Sequence, residues 1–234
     1  MIRTSVVIPI RGLHGGKSRL ASRLDADERA VLIASMANQV IHAVTESGVA
    51  GSIVVVSREA DLLQRLRVGG KRIALLHQPA QSISLNAAID LGRRDALNRD
   101  AERLLVLSAD LPLLTAASVA RFAREADPAG ATLVTDRAGL GTNALMLRGD
   151  VAMSRFPFHF GRESRRFHQE AASHLNASYL ERSIPEIALD LDTPDDWAML
   201  TEDMRQHLLI PTITVRHPTF GAIGNDPVAV LERA

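Results

Sequence analysis

Residues Ile53-Val54-Val55-Val56 form an unbroken apolar, β-branched run. A strand with one face in water alternates apolar and polar residues. An uninterrupted run of this kind belongs to a strand covered on both faces, as in a parallel sheet flanked by helices. Around it, short strand-like runs alternate with longer amphipathic segments. Ser5 to Ile10 reads as a strand and Asp25 to Glu46 as a helix. Asp25 and Glu28 form a capping box there, and Gly48 marks the stop. Further strands are expected at Ser52 to Ser57, Arg72 to Leu76 and Arg103 to Leu107. Helices are expected at Arg58 to Leu66, Leu85 to Asn98 and Thr115 to Ala126, the last with Thr115 as N-cap. This order predicts an α/β fold with a mostly parallel, mixed central sheet and right-handed crossovers.

The pattern changes after residue 130. Strands are expected at Ala131 to Thr135 and Asn143 to Leu147, joined through the glycine-containing stretch Arg137 to Thr142. A helix is expected at Ser164 to Leu175, then strands at Ser178 to Glu181 and Glu186 to Leu191. Thr193-Pro194-Asp195-Asp196 opens another helix, with an N-cap threonine, proline at the first helical position and acids in the first turn. Residues 1–207 read as one domain. The tail 208–234, with Pro211, Pro218 and Pro227, reads as an added strand, a dimer-wrapping arm or a loose end.

Composition excludes several classes. Hydrophobic residues make up 46% of 234, enough for a full core. The 27 basic and 27 acidic residues cancel, unlike a nucleic-acid binder dominated by phosphate contacts. There is no cysteine, so disulfides, thiolate nucleophiles and cysteine-bound metal centres are out. No stretch approaches a membrane span, and Val6 to Ile10 is too short for a signal-peptide core. A cytoplasmic protein without membrane or nucleic-acid partners is expected.

Two acidic stops carry the chemistry. Leu104-Leu105-Val106-Leu107-Ser108-Ala109 ends in Asp110, and Ile187-Ala188-Leu189 ends in Asp190-Leu191-Asp192. Strand C-termini of a parallel sheet share one edge, where ligands bind. Acids gathered there would hold a divalent cation against phosphates. The first strand runs into Arg11-Gly12-Leu13-His14-Gly15-Gly16-Lys17-Ser18-Arg19-Leu20. Backbone N–H groups at Gly15 and Gly16 suit phosphate oxygens, and Arg11, Lys17 and Arg19 suit a triphosphate. The loop has neither the dinucleotide-binding nor the Walker spacing.

Lys17-Ser18-Arg19-Leu20 resembles the N-terminal loop of the guanylyltransferases that make the deazaflavin coenzyme (factor 420), relatives of the molybdenum-cofactor guanylyltransferase and of sugar-nucleotide transferases. Arg11 stands where that family usually has lysine. Further matches follow in order: Leu85-Asn86-Ala87-Ala88, with Ser84 in place of the usual glycine; Asp110-Leu111-Pro112; Gly141-Thr142-Asn143-Ala144-Leu145; Phe160-Gly161-Arg162-Glu163-Ser164 with His168; and Asp190-Leu191-Asp192-Thr193-Pro194. The resemblance spans about residues 5 to 200.

The resemblance implies a single-domain nucleotidyltransferase of the GT-A, Rossmann-like kind. It implies that GMP passes from GTP to a small phosphorylated acid: phosphoenolpyruvate, 2-phospho-L-lactate or 3-phospho-D-glycerate. Leu85 and Asn86 would then lie near guanine and ribose, and Thr142, Gly161 and Ser164 at the acid. Asp110 and Asp192 would hold Mg2+, with Asp190 as the alternative second ligand, and Lys17 would act on the leaving pyrophosphate. An arginine- and alanine-rich bacterial composition favours phosphoenolpyruvate. Other nucleotidyltransferases, with a sugar-phosphate or molybdopterin acceptor, and a non-catalytic nucleotide-binding module are the competing readings. His168 shares a helix face with Ser164 and reads as a substrate contact or a structural hydrogen bond. Trp197 reads as a packing anchor. A homodimer is an open reading, carried by the apolar residues Ile210, Ile213 and Val215 of the tail.

Overall fold

The structure, a computed structural model, describes residues 3–13, 15–60, 62, 66, 73–81, 83–126 and 130–210. Seven strands form one sheet: β1 (Thr4–Ile10), β2 (Ser52–Ser57), β3 (Ile73–His77), β4 (Arg103–Leu107), β5 (Ala131–Val134), β6 (Ala144–Arg148) and β7 (Tyr179–Glu181). Their order is β3-β2-β1-β4-β6-β5-β7. β6 alone runs against its neighbours β4 and β5; the other pairings are parallel.

The helices are α1 (Ala26–Glu46), α2 (Leu85–Asn98), α3 (Ala116–Glu125), α4 (Asp150–Arg155), α5 (Ser164–His174), α6 (Pro185–Ala188), α7 (Pro194–Met199) and α8 (Glu202–Leu209). α1 opens on the expected capping box: Asp25 accepts from the Glu28 amide, and Glu28 accepts from the Asp25 amide. Thr115 and Thr193 cap α3 and α7 in the same way. Residues 61 and 63–65 of the short helix expected at Arg58 to Leu66 lie outside the described residues, as does the whole tail from residue 211. Leu208 and Leu209, assigned to that tail from sequence, belong to α8.

The β2 run behaves as its composition requires. Ile53 and Val55 pack with Val6, Ile8, Leu105 and the inner sides of α1 and α3. Val54 and Val56 point the other way, to a cluster with Val7, Leu104, Val106 and α2. A third cluster joins Leu20, Met36, Leu191 and Trp197, so Trp197 is a packing residue. No helix among the described residues is long and apolar enough to cross a membrane.

One expected strand is absent. Glu186 to Leu191 does not join the sheet: Pro185 takes the first position of the α6 turn, Leu189 is extended, and the chain then passes Asp190 to Asp192 outside any strand. Proline is pre-set for a helix start, which defeats a strand there. The alternation of Ile187, Leu189 and Leu191 has another cause. Ile187 enters the cluster under α1 and α3, whereas Leu189 and Leu191 enter the cluster around Trp197.

Candidate active site

The C-terminal ends of β1, β2, β3 and β4 lie along one sheet edge. β6 runs backwards, so its beginning lies at that same edge: Leu107 pairs with Ala144, and the Ser108 amide donates to the Asn143 carbonyl at 2.9 Å. The extended segment after α6 is stitched on by the Leu191 amide, which donates to the Asp110 carbonyl at 3.1 Å. Asp110, Asp190 and Asp192 therefore converge. Each offers one carboxylate oxygen, and these oxygens lie within 4.8 Å of one another. That donor set fits a hard divalent cation.

Lys17 enters this cluster from the loop after β1. Its Nζ donates to Asp110 Oδ2 and, at 2.6 Å, to Asp192 Oδ1. The Lys17 side chain is only 10% exposed. Burial opposes its charge, but Asp110 and Asp192 outweigh burial and raise its pKa. Burial likewise works against an ionised Asp192. The Lys17 ammonium, with Arg19 and Arg11 beyond it, prevails and holds that carboxyl below the usual range. Asp190 is the odd member. Burial, then the charge of Asp110, push it up to about 6, against a partly compensating bond from Asn143.

The loop owes its shape to Gly12 and Glu59. Gly12 has φ +137°, and a Cβ there would fall 2.2 Å from Glu59 Oε1. The Glu59 carboxylate meanwhile accepts from the Leu13 amide at 2.6 Å. Beyond the loop, Gly15 is exposed and Gly16 packs closely on Ile33. Lys17 itself has left-handed backbone angles, φ 52° and ψ 36°, at the start of the 3-10 turn Ser18–Leu20. Arg19 is exposed.

A cleft of about 450 Å3 opens along the same sheet edge, over the ends of β1, β2 and β3. Arg11, Leu85 and Asn86, expected at the nucleotide, all line it. Asn86 uses its amide on the backbone of residue 160, accepting from Phe160 N at 2.8 Å and donating to Phe160 O at 3.4 Å. Ser84 is the N-cap of α2, accepting from the Ala87 amide. Arg58 and Gln78, which the sequence did not single out, also line the cleft.

Thr142, Gly161 and Ser164 are close in space, but the hydroxyls of Thr142 and Ser164 face inward. Ser164 is fully buried and donates to Thr142 Oγ1 at 2.9 Å. Sequence reasoning expected the Ser164 hydroxyl as a donor to an anion; the structure spends it on Thr142. Gly161 is exposed with φ +134°, a conformation that a side chain would strain. His168 holds this group from below. Its Nε2 accepts from the His159 amide at 3.1 Å, which leaves Nδ1 protonated to donate to Thr142 Oγ1 at 3.0 Å. Of its two sequence readings, the structural hydrogen bond is the one found. Burial, then His159, drive its pKa down to about 3, so the ring is neutral.

Asn143 is a positioning residue that the sequence named only within a motif. Its Nδ2 reaches the carbonyls of Ile187 and Ala188 at 3.0 and 3.1 Å and Asp190 Oδ1 at 3.3 Å. These bonds fasten the α6 turn and Asp190 to the start of β6.

A parallel-sheet edge carrying acids, a loop lysine and an adjoining cleft defines a nucleotidyltransferase-type site. In fold the chain is similar to a putative nucleotide-diphospho-sugar transferase from Desulfovibrio desulfuricans G20, with a TM-score of 0.62 at 13% identity, covering 82% of this chain and 84% of that one. Residues 4–204 match the family described as "Guanylyl transferase CofC like", and the chain belongs to that family. Its relatives include the phosphoenolpyruvate guanylyltransferase of Rubrobacter xylanophilus, 38% identical over 195 residues, which are 83% of this chain and 91% of the relative. The 3-phospho-D-glycerate guanylyltransferase of Colwellia psychrerythraea is 27% identical over 199 residues, 85% of this chain and 91% of the relative.

Proposed function

We propose that this protein transfers GMP from GTP to phosphoenolpyruvate, releasing pyrophosphate, as a cytoplasmic step in making the deazaflavin coenzyme (factor 420). A phosphate oxygen of the acceptor attacks the α-phosphorus of GTP, and the bond from that phosphorus to the β-phosphate oxygen breaks. The nucleophile is already an anion, so no strong base is needed. Positioning and charge neutralisation carry the rate.

The observation that carries this reading is the Lys17 ammonium set between Asp110 and Asp192, on the same sheet edge as the cleft that Arg11, Leu85 and Asn86 line. Asp110 and Asp192, with Asp190 in reach, would hold Mg2+, which supplies Lewis-acid charge against the phosphates when bound. Lys17, together with Arg11 or Arg19, neutralises the departing pyrophosphate. Gly161, exposed just ahead of α5, gives the acceptor one point of close backbone approach. The relatives' names divide between phosphoenolpyruvate and 3-phospho-D-glycerate, and the more similar of the two cited above carries the former.

The test is a pyrophosphate-release assay with GTP, CTP and ATP against phosphoenolpyruvate, 2-phospho-L-lactate and 3-phospho-D-glycerate, with and without Mg2+. Release with GTP and phosphoenolpyruvate, abolished by chelation, is expected. Release only with a sugar phosphate or molybdopterin replaces the acceptor. Silence with every pair returns the protein to a non-catalytic nucleotide-binding module.

A further inference from the structure

Resting on GTP as the donor, we propose that Arg58 reads the guanine base through its O6 and N7 atoms and so sets the preference for GTP over ATP. Three observations point there. First, the cleft residues follow the strand order. Ile10 pairs with Ser57 and Ser57 with His77, so Arg11, Arg58 and Gln78 succeed one another along the edge, moving away from Asp110 after β4. Arg11 is close enough to influence Asp192, and Arg58 is not among the charges that act there. With the phosphates at the acids, Arg58 lies at the nucleoside end.

Second, that end is apolar as well as cationic. Ile83, 71% exposed, and Leu85 flank it, a setting for a purine face rather than for a triphosphate. Third, the uncharged polar side chains of the cleft are committed. Gln78 donates to the Ser84 carbonyl at 2.9 Å, Ser84 caps α2, and Asn86 is paired with the Phe160 backbone. Arg58 has no hydrogen bond or ion pair among the described residues, and no described carboxylate lines the cleft. A carboxylate would be the usual reader of guanine N1–H and N2–H2. A guanidinium fork instead matches the acceptor pair O6 and N7, where adenine presents N7 beside a donor amino group.

Nucleotide binding by calorimetry, followed by kcat/KM for each nucleotide, tests this on the intact protein. Inosine triphosphate keeps O6 and N7 but lacks the 2-amino group, and should match GTP within a few-fold. 7-Deaza-GTP lacks N7 and should be about 10-fold weaker or worse. In Arg58→Ala the preference for GTP over ATP should shrink about 10- to 100-fold, the worth of one bidentate arginine–guanine pair. Arg58→Lys, which keeps the charge but not the fork, should lose most of the same preference. Inosine triphosphate binding far worse than GTP while 7-deaza-GTP binds equally well overturns the proposal in favour of the other base edge. An equal loss for every nucleotide in Arg58→Ala overturns it in favour of a phosphate contact. GTP binding with the stated base preferences but no turnover sinks the proposed reaction and upholds the base contact; no binding of GTP sinks both.

Discussion

The Nζ of Lys17 lies 2.6 Å from Oδ1 of Asp192, although 175 positions separate them in the chain. One ammonium thus spans the acids contributed by the β4 end and by the segment after α6. It balances part of a charge that three carboxylates, within 4.8 Å of one another, would otherwise leave unopposed.

Lys17→Met should therefore act in two ways. Turnover with GTP should fall by about 100- to 1,000-fold, the cost of losing one electrostatic stabiliser of the transition state. The melting temperature in chelator should also fall, and Mg2+ or Mn2+ should restore more of it than in the wild type, because the added cation replaces the missing charge. Differential scanning fluorimetry with a metal titration checks the second effect apart from catalysis.

Asp110→Asn should lose Mg2+-dependent pyrophosphate release by about 100-fold or more while keeping its circular dichroism spectrum. Its carbonyl still accepts from the Leu191 amide, a bond the substitution leaves in place. Near-normal Mg2+-dependent turnover in this variant would remove Asp110 from the metal site.

Asn143→Leu leaves the carbonyls of Ile187 and Ala188 without their side-chain donor in a buried setting. A loss of about 1–3 kcal/mol in urea unfolding is expected. The half-saturating Mg2+ concentration should rise several-fold, since Asp190 is no longer held against β6. Unchanged metal dependence would show that Asp190 needs no such support.

His168 gives a pH signature. Its pKa is depressed to about 3 in the folded protein, against about 6.5 when unfolded. Between those values the unfolded state binds a proton that the folded state refuses. Stability from this group is complete above about 6.5 and declines as pH falls toward 3, at up to about 1.4 kcal/mol per pH unit. Urea titrations of His168→Asn should show a lower stability at neutral pH and a slope shallower by about one proton across that window. Parallel slopes in the two proteins would refute the neutral, buried imidazole.

The capping boxes at Asp25 and Thr193 and the two-faced β2 run were legible because each is a local pattern with a local cause. The segment from Glu186 to Leu191 reads as a strand from its apolar run, but it does not join the sheet. Pro185 was the contrary signal, since a proline opening a short apolar stretch favours a helical turn. The residue types around the acids were legible, but their arrangement was not. Asn143 reaches carbonyls 44 and 45 positions away, and Asn86 pairs with a backbone 74 positions away. Such partners follow from strand order, which no short motif encodes. Ser164 shows the same limit: its place at a helix start was readable, whereas the inward turn of its hydroxyl depends on Thr142 and His168.

The one reversed strand among the described residues, β6, divides the sheet edge between two parts of the chain. Apart from Phe160, the cleft is lined by residues before about 90 and the basic loop precedes β2, whereas Thr142, Gly161, Ser164 and the closing acids arrive afterward, through β6 and the returning chain. A substitution at Thr142, Gly161 or Ser164 would alter that side of the edge while leaving the loop after β1 and the ends of β2 and β3 as they are. Relatives with different acceptor names then need no new architecture, only altered walls on one side of a shared edge.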